Sequence, residues 1–410
     1  MHEVSVARFL RLIRRFGLFG LTCAVFHHVL GSAIARMFPR ATQRAVQTFL
    51  GSDNTAQTLI LISTLDWYFP FRQRLHHLAN AFAAAGWKII FVSPSAGYDQ
   101  FLFSRLIENN IIVIKNHYPL FDAIPITSVY FCSVDNRFDL DFFNTIRNRG
   151  GKVIYDYIDA IDDRLSNRKL TTERSMLHDA LLADEKHCYV IGTASEIMKD
   201  IKKYRAQNFS LVTNAVFLEH FCAPRTGNNI RQDFKAIVDT GKPIAGYYGA
   251  LAEWLDYELL IRLALALPNI SIVLIGPDYD GSKDVLSDAP PNLFVLPPIE
   301  YQNLAVHAAW FDVALIPFLV NEITDSTSPL KLFEYMAAKI PIVSTDIKEA
   351  RKYNSVHIGR NPSEFVEFVN EIVLEGVTDE YMAKMEDEAK ENSWENKIQI
   401  IVDDIEAMDS

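Results

Sequence analysis

A chain of 410 residues is too long for one ordinary hydrophobic core and suits two domains with extensions. Its 49% apolar and 22% charged content excludes a disordered chain, and a net charge of −11 argues against nucleic acid as its main partner. Cys23, Cys132, Cys188 and Cys222 are scattered without a C-x-x-C pair, so they read as reduced thiols in a cytosolic protein and not as a zinc site.

Residues 1–56 are set apart by charge: seven arginines, no lysine, and only Glu3 and Asp53 as acids. Arg8, Arg11, Arg14 and Arg15 interleave with Phe9, Leu10, Leu12, Ile13 and Phe16. The apolar run 16–26 is too short to span a bilayer and ends at His27 and His28. Three readings fit: an amphipathic helix lying on an anionic membrane surface, a helix packed on the catalytic body, or a signal peptide with Ala33-Ile34-Ala35 as its cleavage site. We take the first as the expectation.

From residue 57 the pattern changes to strand–helix alternation. Leu59-Ile60-Leu61-Ile62 is a buried strand opening into a loop with Asp66, Trp67 and Tyr68; a helix follows through Leu75, Leu78 and Phe82 to Gly86. His76 and His77 fall inside that helix and read as structural. Further strands are predicted at 88–92, 111–114, 129–132, 153–157 and 189–191, which together make an open, mostly parallel α/β sheet. Asp156 and Asp159 come at the carboxyl end of one strand, where such sheets bind ligands; the bland alternative is that Asp159 caps the next helix. Strand alternation sets Asp156 on the opposite face. A helix is predicted from Ser195, and the linker-like stretch 223–233 places a domain boundary near residue 225.

The second half repeats the alternation. Pro243-Ile244-Ala245-Gly246-Tyr247-Tyr248-Gly249 is a strand ending in a glycine turn, and strands follow at 270–275, 293–296 and 313–316. Asp139/Asp141 and Asp278/Asp280 have the D-x-D spacing of metal sites, but both sit where caps or turns use acids, so no metal is expected. The last stretch, with Trp394, Ile398, Ile401 and Ile405, is an amphipathic helix.

The richest run is STSPLKLFEYMAA at 326–338, followed by Ile342-Val343-Ser344. Ser328 is placed to cap a helix with Pro329 at its first position, and Leu330, Phe333 and Ala337 face inward. Lys331 in the first turn opposes the helix dipole, which an anion held jointly by the lysine and the free N–H groups would offset. Glu334, on the same face, can accept from ribose hydroxyls. Together they point to a nucleoside diphosphate; an i,i+3 ion pair on an amphipathic helix is the alternative.

This run resembles the donor-binding segment of GT-B glycosyltransferases of group 1, or family 4-like, type, which handle nucleotide sugars in bacterial surface polysaccharide synthesis. The resemblance covers roughly residues 57–400. It implies two Rossmann-like parallel-sheet domains facing a central cleft, an acceptor domain at 57–225 and a donor domain at 226–385, with a helix at 386–410 crossing back; the basic extension at 1–56 precedes them. It implies Ser328, Pro329, Leu330 and Lys331 at the diphosphate, Glu334 at the ribose, and Gly249-Ala250 beside the phosphates. The segments around 63–93, 193–195 and 214–221 share the resemblance, with Ala215 in place of a usual glycine. Asp159 lines the acceptor side and is the candidate general base if the reaction inverts. Two departures stand out: Ser326 where many retaining relatives carry a glutamate, and Lys339 where a glycine usually ends the helix. The expected activity is transfer of a sugar from a nucleotide-sugar donor to a glycan or lipid-linked acceptor, without metal or other cofactor, in the cytoplasm at the inner face of the plasma membrane. The alternatives are a sugar-nucleotide epimerase on the same fold and an inactive membrane-associated subunit.

Overall fold

The computed structural model describes residues 39–51, 57–69, 71–94, 97–115, 128–133, 139–159, 171–225 and 229–408. The basic run 1–38 lies outside them; the end of the extension is a helix, Pro39–Leu50, whose Val46 and Thr42 are fully buried and whose last carbonyls accept from the Lys88 ammonium. The chain forms two compact units. One runs up to Ile191 and adds Tyr204–Phe209 and the chain from Asp404; the other is Gly192–Lys203 with Ser210–Asp403.

The first sheet is built from β1 (Thr58–Ile62), β2 (Lys88–Val92), β3 (Ser104–Glu108), β4 (Ile111–Ile114), β5 (Ser128–Cys132), β6 (Lys152–Tyr157), β7 (Cys188–Gly192) and β8 (Phe209–Leu211), in the spatial order β3-β4-β2-β1-β5-β6-β7-β8. β1, β2, β4, β5 and β6 pair in parallel, and β3 adds an antiparallel edge. β4 is apolar throughout, and β1 and β2 past their first residue, because both of their faces are covered. β3 was not expected. As an edge strand with Arg105, Leu106 and Glu108 exposed, it lacks the continuous apolar run that marks its neighbours.

The second sheet is built from β9 (Ile244–Tyr248), β10 (Ser271–Ile275), β11 (Leu293–Leu296), β12 (Val313–Ile316), β13 (Ile342–Thr345) and β14 (Val356–Gly359), all parallel. Their spatial order, β11-β10-β9-β12-β13-β14, is the 3-2-1-4-5-6 order of dinucleotide-binding sheets. The direction of winding reverses between β9 and β12, so the crevice beyond their carboxyl ends is where this topology places a ligand.

The split between units comes earlier than residue 225, for a local reason. Asn214 bonds Ser328 twice, Val216 pairs with Ser393, and Trp394, fully buried, donates its N–H to the Val216 carbonyl at 3.0 Å. Residues 210–221 therefore pack with the second unit. The linker-like stretch is also tied down there, since Arg225 reaches the carbonyls of Ala309 and Phe311 and the Asp312 carboxylate. The final helix, Trp394–Ala407, begins in the second unit. Its last turn belongs to the first, where the Tyr189 hydroxyl donates to Asp404 at 2.7 Å. Among the described residues no helix is long and apolar enough to cross a membrane.

Candidate functional site

The helix Leu330–Ala337 buries Leu332, Phe333, Tyr335 and Met336 completely, which turns Lys331 and Glu334 toward the loops beyond β9 and β12. Pro329, not Ser328, is the residue that precedes the first helical turn, and no side chain caps it. The reason is competition. The Ser328 hydroxyl oxygen accepts from the Asn214 backbone N–H at 3.1 Å, and the Asn214 amide donates to the Ser328 carbonyl at 2.6 Å. The free N–H groups of the first turn are thus left without a hydroxyl cap. At the other end Lys339 adopts φ +56°, and Ile340 donates to the Tyr335 carbonyl five residues back, so a lysine fills the left-handed closing position that glycine usually takes. Its ammonium pairs with Glu386 at 2.8 Å.

Lys331 lies along the turn after β9. A side chain at Gly249 would place its Cβ 2.9 Å from the Lys331 Cε and 2.8 Å from the Tyr247 hydroxyl, and Gly249 has φ +145°, so only glycine fits. Gly276, after β10, is pressed closer still: a Cβ there would come within 1.7 Å of the Gly249 carbonyl oxygen. The turn is stitched in place by Gly249 N–H to the Ile275 carbonyl at 2.9 Å and by the Tyr247 hydroxyl to the Ala250 carbonyl at 3.1 Å. Residues predicted from two separate stretches, Gly249-Ala250 and Ser328–Leu330 with Lys331 and Glu334, are therefore neighbours or near neighbours in one unit.

The electrostatics of the pair are unusual. Among the described residues no carboxylate forms an ion pair with the Lys331 ammonium, which instead sits 5.3 Å from the Tyr247 ring centre and 5.0 Å from that of Phe318. Burial pushes its pKa down to about 8, against the opposing field of Glu334. Glu334 is only 3% exposed, and burial pushes its carboxyl up to about 7, with the Tyr248 hydroxyl and Lys331 acting the other way. The Tyr248 hydroxyl, buried beside Glu334, makes no well-formed hydrogen bond. A buried carboxyl, a half-buried ammonium and a buried hydroxyl without a well-formed hydrogen bond thus stand close together. That arrangement costs stability and is expected of a site whose ligand supplies the missing partners.

Sequence reasoning did not single out Tyr247, Tyr248, Phe318 or Asn214 for this site. A tyrosine pair at a strand end was the visible signal; what each ring meets is decided by segments more than 60 residues away.

The other expected positions separate. Asp156 is fully buried, paired with the Arg74 guanidinium at 2.7 Å and accepting from the Tyr130 hydroxyl at 2.6 Å, so it braces the first sheet. Asp159 is half-buried in the bend after β6; residues 160–170, which hold any helix it would cap, lie outside the described residues. Asp139 caps the helix Leu140–Asn148, and Asp278 and Asp280 accept from the backbone of Gly281, Ser282 and Glu253, so these D-x-D acids serve turns. Ser326 donates to the Glu322 carbonyl, and Asp325 is engaged by Lys348. His76 holds the β1 loop, accepting from Gln73 N–H at 3.2 Å and donating to the Asp66 carbonyl at 3.0 Å.

No family model matches the chain. Over 260 residues it is 24% identical to TuaH of Bacillus subtilis (strain 168), whose name provisionally assigns it as a glycosyltransferase of teichuronic acid biosynthesis; the match spans 59% of this chain and 64% of the length of TuaH. The fold is similar to that of sucrose-phosphate synthase from Thermosynechococcus elongatus (TM-score 0.59, 14% identity, 84% of this chain and 97% of the other). It is also similar to Anabaena HepE, solved with UDP and glucose (TM-score 0.63, 11% identity, 86% and 100%), and to WaaG, a glycosyltransferase involved in lipopolysaccharide biosynthesis (TM-score 0.53, 12% identity, 82% and 95%). The chain has the two-unit α/β fold of the GT-B glycosyltransferases.

Proposed function

We propose that this chain is a glycosyltransferase that moves a sugar from a nucleoside-diphosphate donor to a hydroxyl of a glycan or lipid-linked acceptor in surface polysaccharide biosynthesis. The observation that carries the proposal is the Lys331 ammonium, unpaired with any carboxylate among the described residues, lying against the Gly249 backbone at an uncapped helix N-terminus with Glu334 one turn on. In this reading Lys331, the Ser328 hydroxyl and the N–H groups around Pro329-Leu330 hold the diphosphate, the glycine at 249 lets the backbone at Ala250 approach it, and Glu334 accepts from the ribose. The same groups then bear the negative charge that develops on the departing nucleoside diphosphate, which is the main catalytic demand of the reaction. No metal is required in this scheme, because Lys331 and the helix dipole supply the positive charge. HepE is a UDP- and UDP-glucose-binding relative by fold, which supports a nucleotide-sugar donor here.

Asp159 is assigned to the acceptor, as general base or as the group that orients the acceptor hydroxyl. Residues 1–38 are assigned to an anionic membrane surface at the cytoplasmic face, where a lipid-linked acceptor is met. A thermal-shift panel of UDP-, GDP- and dTDP-sugars tests the donor, because a ligand that binds only the native state raises apparent stability. Transfer or donor hydrolysis upholds the assignment; interconversion of sugar epimers would replace it with the epimerase, and failure to bind any donor with an inactive subunit.

A further inference from the structure

We propose that Tyr247 and Phe318 form an aromatic cradle that positions the Lys331 ammonium and keeps it charged before any donor arrives. This rests on the reading of Lys331 as the diphosphate cation. The ammonium lies within 5.3 and 5.0 Å of the two ring centres, inside the range where a ring face attracts a cation. Both rings are anchored. Tyr247, fully buried at the end of β9, spends its hydroxyl on the Ala250 carbonyl. Phe318, 4% exposed after β12, is held by the Thr345 hydroxyl donating to its carbonyl at 2.6 Å and by the Leu255–Phe318 bridge. Tyr247 lies in β9 and Phe318 just past the carboxyl end of β12, the two strands that flank the reversal in winding, so the cradle stands where this topology binds ligands.

The choice of rings has a physical logic. A half-buried ammonium needs something to offset lost water. A carboxylate would do so but would also neutralise the lysine and repel a diphosphate. An aromatic face attracts the cation through its quadrupole and carries no net charge, so the full positive charge stays available. Among the described residues, the titratable groups facing Lys331 are Glu334 on its own helix and Tyr247 on β9; Phe318 offers only its ring.

The test uses the full chain with the nucleoside diphosphate that the parent binds most tightly, and inorganic pyrophosphate in parallel. Phe318→Leu should weaken both ligands by about 5-fold or more, the scale of a desolvated cation–ring contact. It should also move the midpoint of Lys331 acylation, read by peptide mass spectrometry, to lower pH. Phe318→Tyr, which keeps the ring, should restore both. Parental affinity and midpoint in Phe318→Leu overturn the proposal, as does failure of Phe318→Tyr to differ from Phe318→Leu. A measurement on the parent guards against a leucine variant that does not fold. Reductively ¹³C-dimethylated Lys331, assigned by its loss in Lys331→Arg, should show methyl resonances shifted upfield by the rings, and unshifted methyls refute the cradle. If the parent binds no nucleoside diphosphate, the functional reading fails while the acylation and resonance results still decide the cradle.

Discussion

The pH dependence of donor affinity tests the site most severely. The probe is a nucleoside-diphosphate hexose, in which each phosphate carries one ester and one anhydride linkage and has no proton to gain near neutrality. Lys331 titrates at about 8 and Glu334 at about 7 in the free protein. Lys331 is then roughly nine-tenths charged at pH 7 and one-tenth charged at pH 9, while Glu334 is half ionised at pH 7. A charge-assisted contact to phosphate is worth roughly 1.5–3 kcal/mol, so affinity should fall about tenfold from pH 7 to 9, most of it above pH 8. Below pH 7 the protonated Glu334 accepts poorly from ribose, and affinity falls again. The expected profile is a bell between these limbs. Inorganic pyrophosphate, read above pH 7, should share only the alkaline limb. Isothermal titration at half-unit steps from pH 6 to 9.5 reads this directly, with Lys331→Ala expected to lose the alkaline limb and Glu334→Gln the acid limb. The stability sign is opposite to the binding sign. Because the folded pKa of Lys331 lies below its unfolded value, its burial cost is fully present below about pH 8 and disappears as pH rises past the unfolded pKa. Lys331→Ala should therefore be no less stable than the parent at pH 7 while binding donor at least tenfold more weakly. A flat profile for the parent, or an alkaline limb that survives in Lys331→Ala, would refute the reasoning.

Asp159→Asn should leave donor binding near parental and cut transfer roughly 100-fold, the scale of a lost general base; unaltered transfer in a coupled nucleotide-release assay would reduce Asp159 to a structural residue. Asp156→Ala strands the buried Arg74 guanidinium and should cost about 3–5 kcal/mol in urea unfolding, so a loss under about 1 kcal/mol would contradict the ion pair seen here. Burial lowers the His76 pKa to about 4, so its contribution is whole above pH 6.5 and is lost as pH falls toward 4. His76→Gln should flatten that acid limb by up to about 3 kcal/mol, as followed by thermal unfolding at each pH. A chain starting at Pro39 retains the packed helix and should lose co-sedimentation with acidic liposomes while still binding donor; sedimentation equal to the full chain would remove the membrane role of residues 1–38.

The sequence by itself determined the parts of this protein that are written locally. Parallel strands covered on both faces are continuous apolar runs, so β1, β2, β4, β9, β10, β12 and β13 could be read directly, and the α/β class with them. Lys331 and Glu334 share a helix face because three residues is nearly one turn, a spacing that no tertiary contact needs to supply. β3, β8 and β14 were missed because an edge strand need be apolar on only part of its surface. Other features were decided only when distant segments met. Ser328 reads as a cap, yet Asn214, 114 residues earlier, takes its hydroxyl. Asp156 and Arg74 are 82 residues apart, and nothing near either announces the pair. The Gly276–Gly249 contact and the rings around Lys331 arise where loops after β9, β10 and β12 converge. A helix periodicity or an apolar run repeats along the chain and can be seen in it; a hydroxyl, a ring or an absent Cβ carries no sign of its partner until strand order brings the two together.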